Sequence, residues 1–286
     1  MLKDYVQPKT VDGVLASLRQ GNARIIAGGT DLMLDMKAGK TEVEKLVDIN
    51  CVDSLKKIEI VDGSIIIGAA VTHQEVATSK LIQEKAPVLA KACRTVGSLQ
   101  IRNTGTMVGN VINAQPAADA AVALIALGAV AEIFDENGIS YLPVEELYLG
   151  VGQSKIDSSK QLVTSIKFPS LQSGQGSAFV RLAQRGALAL PMLNVSVVVT
   201  LSGDKVDWLR LVMAPVAPKP VRATEAEKMI QGKQVNEETI IATANAVASQ
   251  ANPRDSALRG SGEYRKSVLQ TLVKRGLIEA FAEAQK

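Results

Sequence analysis

Two glycines that directly follow a short apolar run place the strongest constraint on how this chain folds. The run Arg24 to Ala27 has the pattern of a buried strand, Gly28-Gly29 follows it, and Leu32 to Lys37 has a helical pattern that ends at Gly39. Because glycine has no Cβ, such a turn lets the backbone approach a ligand closely, and its N–H groups can point at an anion. The same turn also serves simple chain reversal, so this feature alone leaves both interpretations open.

A second segment, Gly97 to Asp119, lies immediately before a long apolar stretch. It contains two further glycines and is dense in polar side chains: Arg102, Asn103, Thr104, Thr106, Asn110 and Asn113. These groups suit a loop wrapped around a polar ligand, and an irregular surface loop is the alternative. Neither glycine segment has the dinucleotide fingerprint or the P-loop pattern, so a Rossmann fold is disfavoured.

Local signals in the first half of the chain predict both helices and antiparallel strands. Residues 64–68 have a strand pattern, and Thr72 with Glu75 has the spacing of a capping box, so a helix is expected to begin near His73. Asn137-Gly138, between two apolar runs, predicts a β-hairpin.

The stretch Ser170 to Ser177 (SLQSGQGS) is the clearest break in composition and is interpreted as a linker or an exposed loop. Beyond it, strands precede helices, which is an α+β order. The patterns predict strands at 194–201 and 208–214, a turn at 215–220, and helices at 224–231, 236–250 and 263–284.

Composition and charge exclude several classes of function. Aromatic residues make up 3% of the chain and its net charge is +3. A nucleic-acid-binding protein is therefore disfavoured, because such proteins stack bases on aromatic side chains beside a basic surface. Cys51 and Cys93 are far apart, so any iron–sulfur cluster must lie on another chain. The few cysteines and an N-terminus without an apolar signal core predict a cytoplasmic protein. The apolar run 120–131 is shorter than the about 20 residues that cross a bilayer, so it predicts a buried helix instead.

No catalytic or metal-binding constellation is recognisable. His73 is the sole histidine and is interpreted as an ordinary residue at a helix start, which disfavours hydrolase chemistry. The carboxylates at strand ends and turns are interpreted as solvated: Asp48, Asp53, Asp62, Glu132 and Asp135. The basic residues near the C-terminus indicate a solvated face, with docking of an acidic partner as the alternative: Lys228, Lys233, Arg254, Arg259, Arg265 and Lys266.

The two glycine segments together resemble those of a known family. AGGTDLM at Ala27 to Met33 and IRNTGTMVGN at Ile101 to Asn110, followed by Pro116 and Asp119, are similar to the FAD-binding (medium) subunits of molybdenum hydroxylases, among them xanthine dehydrogenase, carbon monoxide dehydrogenase and nicotinate dehydrogenase. Further similar segments extend over nearly the whole chain: 68–72, 179–181 with Arg185, 217–223 and 264–265.

The resemblance implies an α+β protein in two parts. The first is a two-part FAD-binding domain of the vanillyl-alcohol-oxidase (PCMH) type at residues 1–172, with lobes at about 1–60 and 61–172. The second is a smaller α+β domain at residues 177–286 that resembles the carbon monoxide dehydrogenase flavoprotein C-terminal domain.

The resemblance also implies where FAD is bound. Carried over residue by residue, the contacts fall on Ile25, Ile26, Ala27, Gly28, Gly29, Thr30, Asp31, Leu32, Thr106, Gly109, Asn110, Asp119, Val163 and Arg181, with no catalytic side chain and no metal ligand. Arg181 stands where relatives often have lysine, and a cation there can offset the negative charge of the cofactor. Val108 stands where relatives usually have glycine, so it is expected either to point away from FAD or to weaken its binding.

The function implied is that of an electron-transfer subunit of a xanthine dehydrogenase-like oxidoreductase. FAD would pass electrons from iron–sulfur clusters on one partner subunit, which receive them from a molybdopterin-binding subunit, to NAD or another acceptor. A flavin-free assembly subunit, suggested by Val108, and a self-contained flavin oxidase remain alternatives. No motif specifies the substrate, the acceptor or the stoichiometry of the complex.

Overall fold

The computed structural model describes residues 2–286 as a mixture of helices and strands in three larger sheets and one small strand pair. The strands are β1 Asp4–Val6, β2 Ala23–Ile26, β3 Lys45–Asp48, β4 Ile58–Val61, β5 Ser64–Gly68, β6 Val130–Asp135, β7 Gly138–Pro143, β8 Tyr148–Gly150, β9 Gln153–Ser154, β10 Leu162–Pro169, β11 Gln175–Leu182, β12 Leu193–Ser202, β13 Lys205–Ala214 and β14 Val221–Arg222. The helices are α1 Val11–Leu18, α2 Leu32–Lys37, α3 His73–Thr78, α4 Lys80–Lys85, α5 Pro87–Arg94, α6 Leu99–Thr104, α7 Met107–Ile112, α8 Asp119–Ala126, α9 Thr224–Ile230, α10 Glu237–Gln250 and α11 Gly262–Ala284. Short 3-10 turns lie at Ile49–Cys51, Asp53–Lys56 and Val144–Leu147.

The first sheet is parallel and has the order β1-β3-β2. The central strand β3 aligns Val47 with Val6 on one side and with Ile25 on the other. Helix α1 begins after Thr10, whose side chain accepts a hydrogen bond from the Gly13 N–H. It packs against β2 and β3. The first glycine turn therefore leaves the sheet at the carboxyl end of β2, which is where ligands bind in many parallel sheets.

The second sheet is antiparallel and has the order β4-β5-β10-β6-β7. Its central strand β10 places Ile166 between Ile67 of β5 and Ala131 of β6, and all three are buried. The strand expected at 64–68 and the hairpin expected around Asn137-Gly138 are both confirmed.

The third sheet, β11-β12-β13-β14, is antiparallel and buries both of its faces. Along β12, Val195 and Val197 face the core formed with α11, whereas Val198 joins the core that contains α8. This alternation follows from the two-residue period of a strand. Helix α11 comes so close to β11 that a Cβ on Gly176 would lie 2.0 Å from the Ala280 carbonyl oxygen.

Helix α8 packs against β12 and β13 of the third sheet and against α5 and α7, and it is shorter than expected. All of its residues from Asp119 to Ala126 are buried, so the expectation of a buried helix is confirmed for this part. It ends because Gly128, with a φ of +73°, reverses the chain into β6, which begins at Val130. The prediction that the helix extends through residue 131 was therefore wrong for residues 127–131.

Two further expectations about the C-terminal half need correction. Strand β11 begins at Gln175, so only the first part of the 170–177 linker lies outside the strands. Ser170 is itself buried and donates a hydrogen bond from Oγ to the Gly63 carbonyl at 2.8 Å. Arg265, expected on a solvated face, is 3% exposed and donates to the Pro215 carbonyl at 2.9 Å. The strands and helices predicted beyond residue 190 are otherwise confirmed within one to three residues at each end.

Candidate cofactor site

A cavity of about 910 Å³ lies between the first sheet, the second glycine segment and strand β10. Its volume is near the upper end of the range for ligand sites, about 300–1,000 Å³. All the residues expected to contact a cofactor except Asp119 and Arg181 line it, namely Ile25, Ile26, Ala27, Gly28, Gly29, Thr30, Asp31, Leu32, Thr106, Gly109, Asn110 and Val163. The fold thus brings the two glycine segments and β10 to one space.

The first glycine turn is shaped by its contact with the second segment. A Cβ on Gly28 would lie 2.1 Å from the Thr104 carbonyl oxygen and 2.8 Å from the Gly105 Cα. Gly29 has a φ of +64°, which disfavours any other residue. Glycine is therefore required at 28 because another backbone segment approaches it, a reason that the sequence pattern did not suggest.

The second glycine segment is helical rather than an irregular loop. Ser98 accepts a hydrogen bond from the Ile101 N–H and caps α6, and Thr106 accepts one from the Gly109 N–H and caps α7. Gly105 separates the two short helices. The expectation of a loop was wrong for these residues, which form helices, whereas the ligand-binding interpretation stays a prediction, since Thr106, Gly109 and Asn110 line the cavity.

Backbone hydrogen bonds hold the second segment against the start of α3. The His73 N–H donates to the Gly105 carbonyl at 3.0 Å, and the Met107 N–H donates to the Val71 carbonyl at 3.0 Å. Thr72 and Thr106 pair between these two bonds. The expected capping box is present, since Thr72 accepts from the Glu75 N–H and the Glu75 carboxylate accepts from the Thr72 N–H.

A carboxylate beneath the first glycine turn was missed by sequence reasoning. Asp48 was interpreted as solvated, but it is 4% exposed and accepts hydrogen bonds from the Tyr5 hydroxyl at 2.5 Å and from the Gln7 side chain at 3.0 Å. It also accepts two from Asn50, whose side-chain amide donates to the Ala27 carbonyl at 2.9 Å. Burial opposes ionisation of Asp48, but these hydrogen bonds together lower its pKa below the ordinary value.

The Asp48 network fixes the backbone just before Gly28-Gly29, because Asn50 links the carboxylate to the Ala27 carbonyl. The position of Asp48 at the carboxyl end of an apolar strand was a usable signal for this role, since β2 and β3 are parallel and end at the same edge of the sheet.

Polar atoms at the cavity lack partners within the described part of the chain. The Asn110 side-chain oxygen and the His73 Nδ1 are both buried. Neither atom forms a hydrogen bond with a described residue. Burial and the nearby Arg102 lower the pKa of His73 to about 4, so its ring is neutral at pH 7. The pKa of Asp31 is raised, mainly by burial and to a smaller extent by the negative charge of Asp35. Buried polar atoms without partners are uncommon, and a bound ligand can satisfy them.

Asp119 and Arg181 lie together, away from the cavity lining. The Arg181 Nε is 3.3 Å from the Asp119 carboxylate, and the Asn194 side-chain amide donates to the same carboxylate at 2.7 Å. Arg181 also donates to the Ala189 carbonyl. Burial raises the pKa of Asp119, and Arg181 and Asn194 oppose that shift. Each side chain thus already has polar partners of this chain.

Val108, the departure from the pattern of relatives, lies in α7 and is 1% exposed. It belongs to the hydrophobic core, it also lines the cavity, and its φ is not positive. A β-branched residue is therefore compatible with the backbone at this position.

Comparison with known proteins gives one consistent result. Residues 1–171 match the family described as "FAD binding domain in molybdopterin dehydrogenase", and residues 178–280 match "CO dehydrogenase flavoprotein C-terminal domain". The chain is 30% identical, over 92% of its length and 90% of the relative, to the putative xanthine dehydrogenase FAD-binding subunit of Escherichia coli K12. It is 29% identical to the carbon monoxide dehydrogenase medium chain of Hydrogenophaga pseudoflava, over 98% of this chain and 97% of that one.

The solved structures agree. A chain of carbon monoxide dehydrogenase from Hydrogenophaga pseudoflava superposes with a TM-score of 0.92 at 29% identity, covering 99% of this chain and 98% of that chain. Together with the sequence matches, this defines the class as an FAD-binding component of an oxidoreductase. The chain belongs to the family of FAD-binding subunits of molybdopterin dehydrogenases. The expected family, fold class and cofactor are therefore confirmed.

The residues of the cavity fit FAD. The two glycine segments offer backbone without Cβ atoms, and the unpaired Asn110 oxygen and His73 nitrogen offer polar contacts. Apolar side chains at the rim, Leu34, Ile101, Leu149 and Leu190, suit an aromatic ring system. No helix within residues 2–286 is both long and apolar enough to cross a membrane.

Proposed function

We propose that this chain binds FAD in the cavity between its two glycine segments and passes electrons through it, from iron–sulfur clusters on a partner subunit to NAD⁺ or another acceptor. The observation that carries the proposal is the convergence of Ala27 to Leu32 with Thr106 to Asn110 on one cavity of sufficient size. The complex would be a molybdenum-dependent hydroxylase or dehydrogenase.

The protein's part in this function is to hold and orient the cofactor. Gly28 and Gly29 would let the backbone approach the diphosphate, and the Asp48 network would keep that turn in place. Asn110 would contribute a side-chain hydrogen bond. FAD, when bound, supplies the redox chemistry and can exchange electrons singly or in pairs.

The polarity of the cavity supports one orientation of the cofactor. The glycine segments form its polar part, whereas Leu34, Leu149 and Leu190 are 58–65% exposed and form an apolar rim. We place the flavin ring toward this rim, because an aromatic ring gains from apolar contact and must remain within reach of electron donors and acceptors.

The metal centres would lie on other subunits. The chain has two cysteines, one partly and one fully buried, and a typical cluster needs four thiolates. Several relatives are named as subunits or medium chains, which supports assembly with partners. Molybdopterin and iron–sulfur clusters would enter the reaction through those partners.

Reduction of the flavin in the intact complex tests the proposal. The purified complex is expected to contain FAD in a one-to-one ratio with this chain, and anaerobic NADH is expected to bleach the flavin absorbance. If reduced ferredoxin or a quinol bleaches the flavin and NADH does not, the oxidised form of that compound is the acceptor instead of NAD⁺. A complex without stoichiometric flavin would overturn the proposal.

The self-contained oxidase is tested with the isolated chain loaded with FAD. Candidate substrates of the complex, such as xanthine, are expected to leave its flavin oxidised under anaerobic conditions, because no catalytic acid–base pair was recognised in the chain. Rapid bleaching by such a substrate would show that this chain carries a substrate site of its own. Val108, which suggested the flavin-free alternative, lies in α7 within the core and also lines the cavity, so the measured flavin content of the complex decides between the two interpretations.

A further inference from the structure

His73 is a buried polar residue that the proposed electron transfer does not use. It is the sole histidine of the chain, it begins α3, and it is 1% exposed while lining the cavity. Its Nδ1 is buried and forms no hydrogen bond to any described residue. Since a buried nitrogen without a partner is unfavourable, its presence at a ligand cavity calls for an explanation.

The ring of His73 lies where the two glycine segments meet. A Cβ built on Gly105 would be 3.8 Å from the His73 Cδ2 and 3.5 Å from the Thr30 hydroxyl oxygen. The His73 imidazole, the Thr30 hydroxyl and the Gly105 Cα therefore lie close to one another. Rotation of the ring by half a turn about χ2 exchanges Nδ1 with Cδ2 and places the nitrogen on the side of Gly105 and Thr30.

The position of this ring is set by the backbone. The His73 N–H donates to the Gly105 carbonyl at 3.0 Å, and the capping box fixes the first turn of α3. The backbone at the start of α3 is therefore fixed against the second segment. This residue thus keeps a fixed distance from the second segment while retaining a nitrogen available for a ligand.

One cation lies near the ring, and the Asp31 carboxylate lines the same cavity. Arg102 is held nearby by hydrogen bonds to the Gln74 side chain and to the Val96 carbonyl. Because the imidazole itself is neutral, it has one N–H donor and one acceptor nitrogen. A neutral N–H donor near a cation, beside two glycine segments, suits the oxygens of a phosphate group.

We propose that His73 is a further cofactor-binding residue and that its imidazole donates a hydrogen bond to the diphosphate of FAD. The inference rests on the proposed function in that it requires FAD to occupy this cavity. The Thr30 hydroxyl and the Cα of Gly105, which carries no side chain, complete the surroundings of the diphosphate at this point.

Nuclear magnetic resonance of the ring nitrogens tests the contact directly, because the chain has a single histidine. The full chain, labelled with ¹⁵N-histidine, is titrated with FAD, ADP and riboflavin. FAD and ADP are expected to shift the His73 nitrogen signals, whereas riboflavin, which lacks phosphate, is expected to leave them unchanged. Signals that respond to riboflavin but not to ADP would overturn the assignment to the diphosphate.

Two variants separate hydrogen bonding from packing. His73→Phe keeps a planar ring but no N–H, and it is expected to weaken FAD binding about tenfold. His73→Gln keeps an amide donor and is expected to recover most of that loss. Circular dichroism and the urea midpoint show whether each variant folds. Folded His73→Phe protein that binds FAD as the wild type does would overturn the proposal.

The location of the cofactor is checked separately with Gly28→Ala, which blocks the turn beside the cavity. If this variant loses FAD but the His73 signals of the wild type do not move on FAD addition, the inference about His73 fails and the proposed site stands. If it folds and retains wild-type FAD affinity, the proposed site itself fails.

Discussion

The guanidinium of Arg181 and the carboxylate of Asp119 form an ion pair with Nε 3.3 Å from Oδ1, and their side chains are 11% and 6% exposed. Arg181 belongs to β11 in the third sheet, and Asp119 is the first residue of α8. The pair therefore ties α8 to the third sheet. Asn194 of β12 donates to the same carboxylate, which gives the pair a third member.

Removal of one member of this pair is expected to destabilise the protein strongly. Arg181→Met leaves the Asp119 charge buried and without its cation, and breaking a buried pair in this way costs about 3–5 kcal/mol. Urea denaturation measures the loss. Glu225→Gln, which breaks the exposed pair with Lys228, serves as the control and is expected to cost less than about 1 kcal/mol.

The double variant Asp119→Asn/Arg181→Met removes both charges and is expected to recover part of the stability lost by the single change. A loss in the double variant equal to the sum of the losses in the single variants Arg181→Met and Asp119→Asn would show that the two residues do not act as a pair. FAD affinity measured on the folded variants shows whether either residue also contacts the cofactor, as the resemblance implied.

Gly28→Ala is expected to abolish the close approach of the two glycine segments. The new methyl group would lie 2.1 Å from the Thr104 carbonyl oxygen, so one backbone segment must move. We expect FAD to bind at least about tenfold more weakly, as measured by quenching of flavin fluorescence. Gly186→Ala is the matched control, because Gly186 is exposed and a methyl group added there would have no other atom within 4 Å. Equal effects of the two substitutions would refute the role of Gly28.

Val108→Gly restores the residue that relatives usually have and tests the direction of the Val108 side chain. The side chain is buried in the core and the residue lies inside α7, so we expect a loss of about 2–4 kcal/mol in the free energy of unfolding. The FAD affinity of the folded variant is expected to stay within about threefold of the wild type, which corresponds to less than about 1 kcal/mol. A clear gain in affinity would mean that the valine crowds the cofactor.

The Asp48 network predicts a specific sensitivity to acid. The folded-state pKa of Asp48 is below its ordinary value of 3.8, so its carboxylate stabilises the fold above that pH, and this stabilisation is lost as the pH falls through the folded-state pKa. Asp48→Asn is expected to cost about 1–3 kcal/mol at pH 7, because hydrogen bonds to a charged group are lost.

The difference in unfolding free energy between the wild type and Asp48→Asn is expected to shrink as the pH falls below 3.8, because the carboxylate of the unfolded wild type is protonated before that of the folded protein. Urea denaturation between pH 7 and pH 3 measures this trend. Tyr5→Phe, which removes one donor to Asp48, is expected to show a smaller effect with the same pH dependence. A difference that stays constant with pH would contradict the role of the charge.

Local sequence patterns predicted much of the secondary structure. The helix at Leu32–Lys37, the strand at Ser64–Gly68 and the capping box of Thr72 with Glu75 have the predicted bounds or contacts. These features depend on residues within one or two turns of each other, so neighbouring residues suffice to specify them. The polar residues of Gly97 to Asp119 predicted a loop, whereas Ser98 and Thr106 cap the short helices α6 and α7.

The family, its cofactor and the two glycine segments were recognisable from the chain alone, because their residue types and order are specific. The roles of individual side chains depended on contacts between distant residues. Gly28 meets Thr104, Asn50 holds Ala27, and Arg181 pairs with Asp119 across 62 positions of the chain. Burial and pairing of this kind arise only when the sheets and helices pack, because a side chain's partners and its exposure are properties of the packed fold and not of its neighbours in sequence.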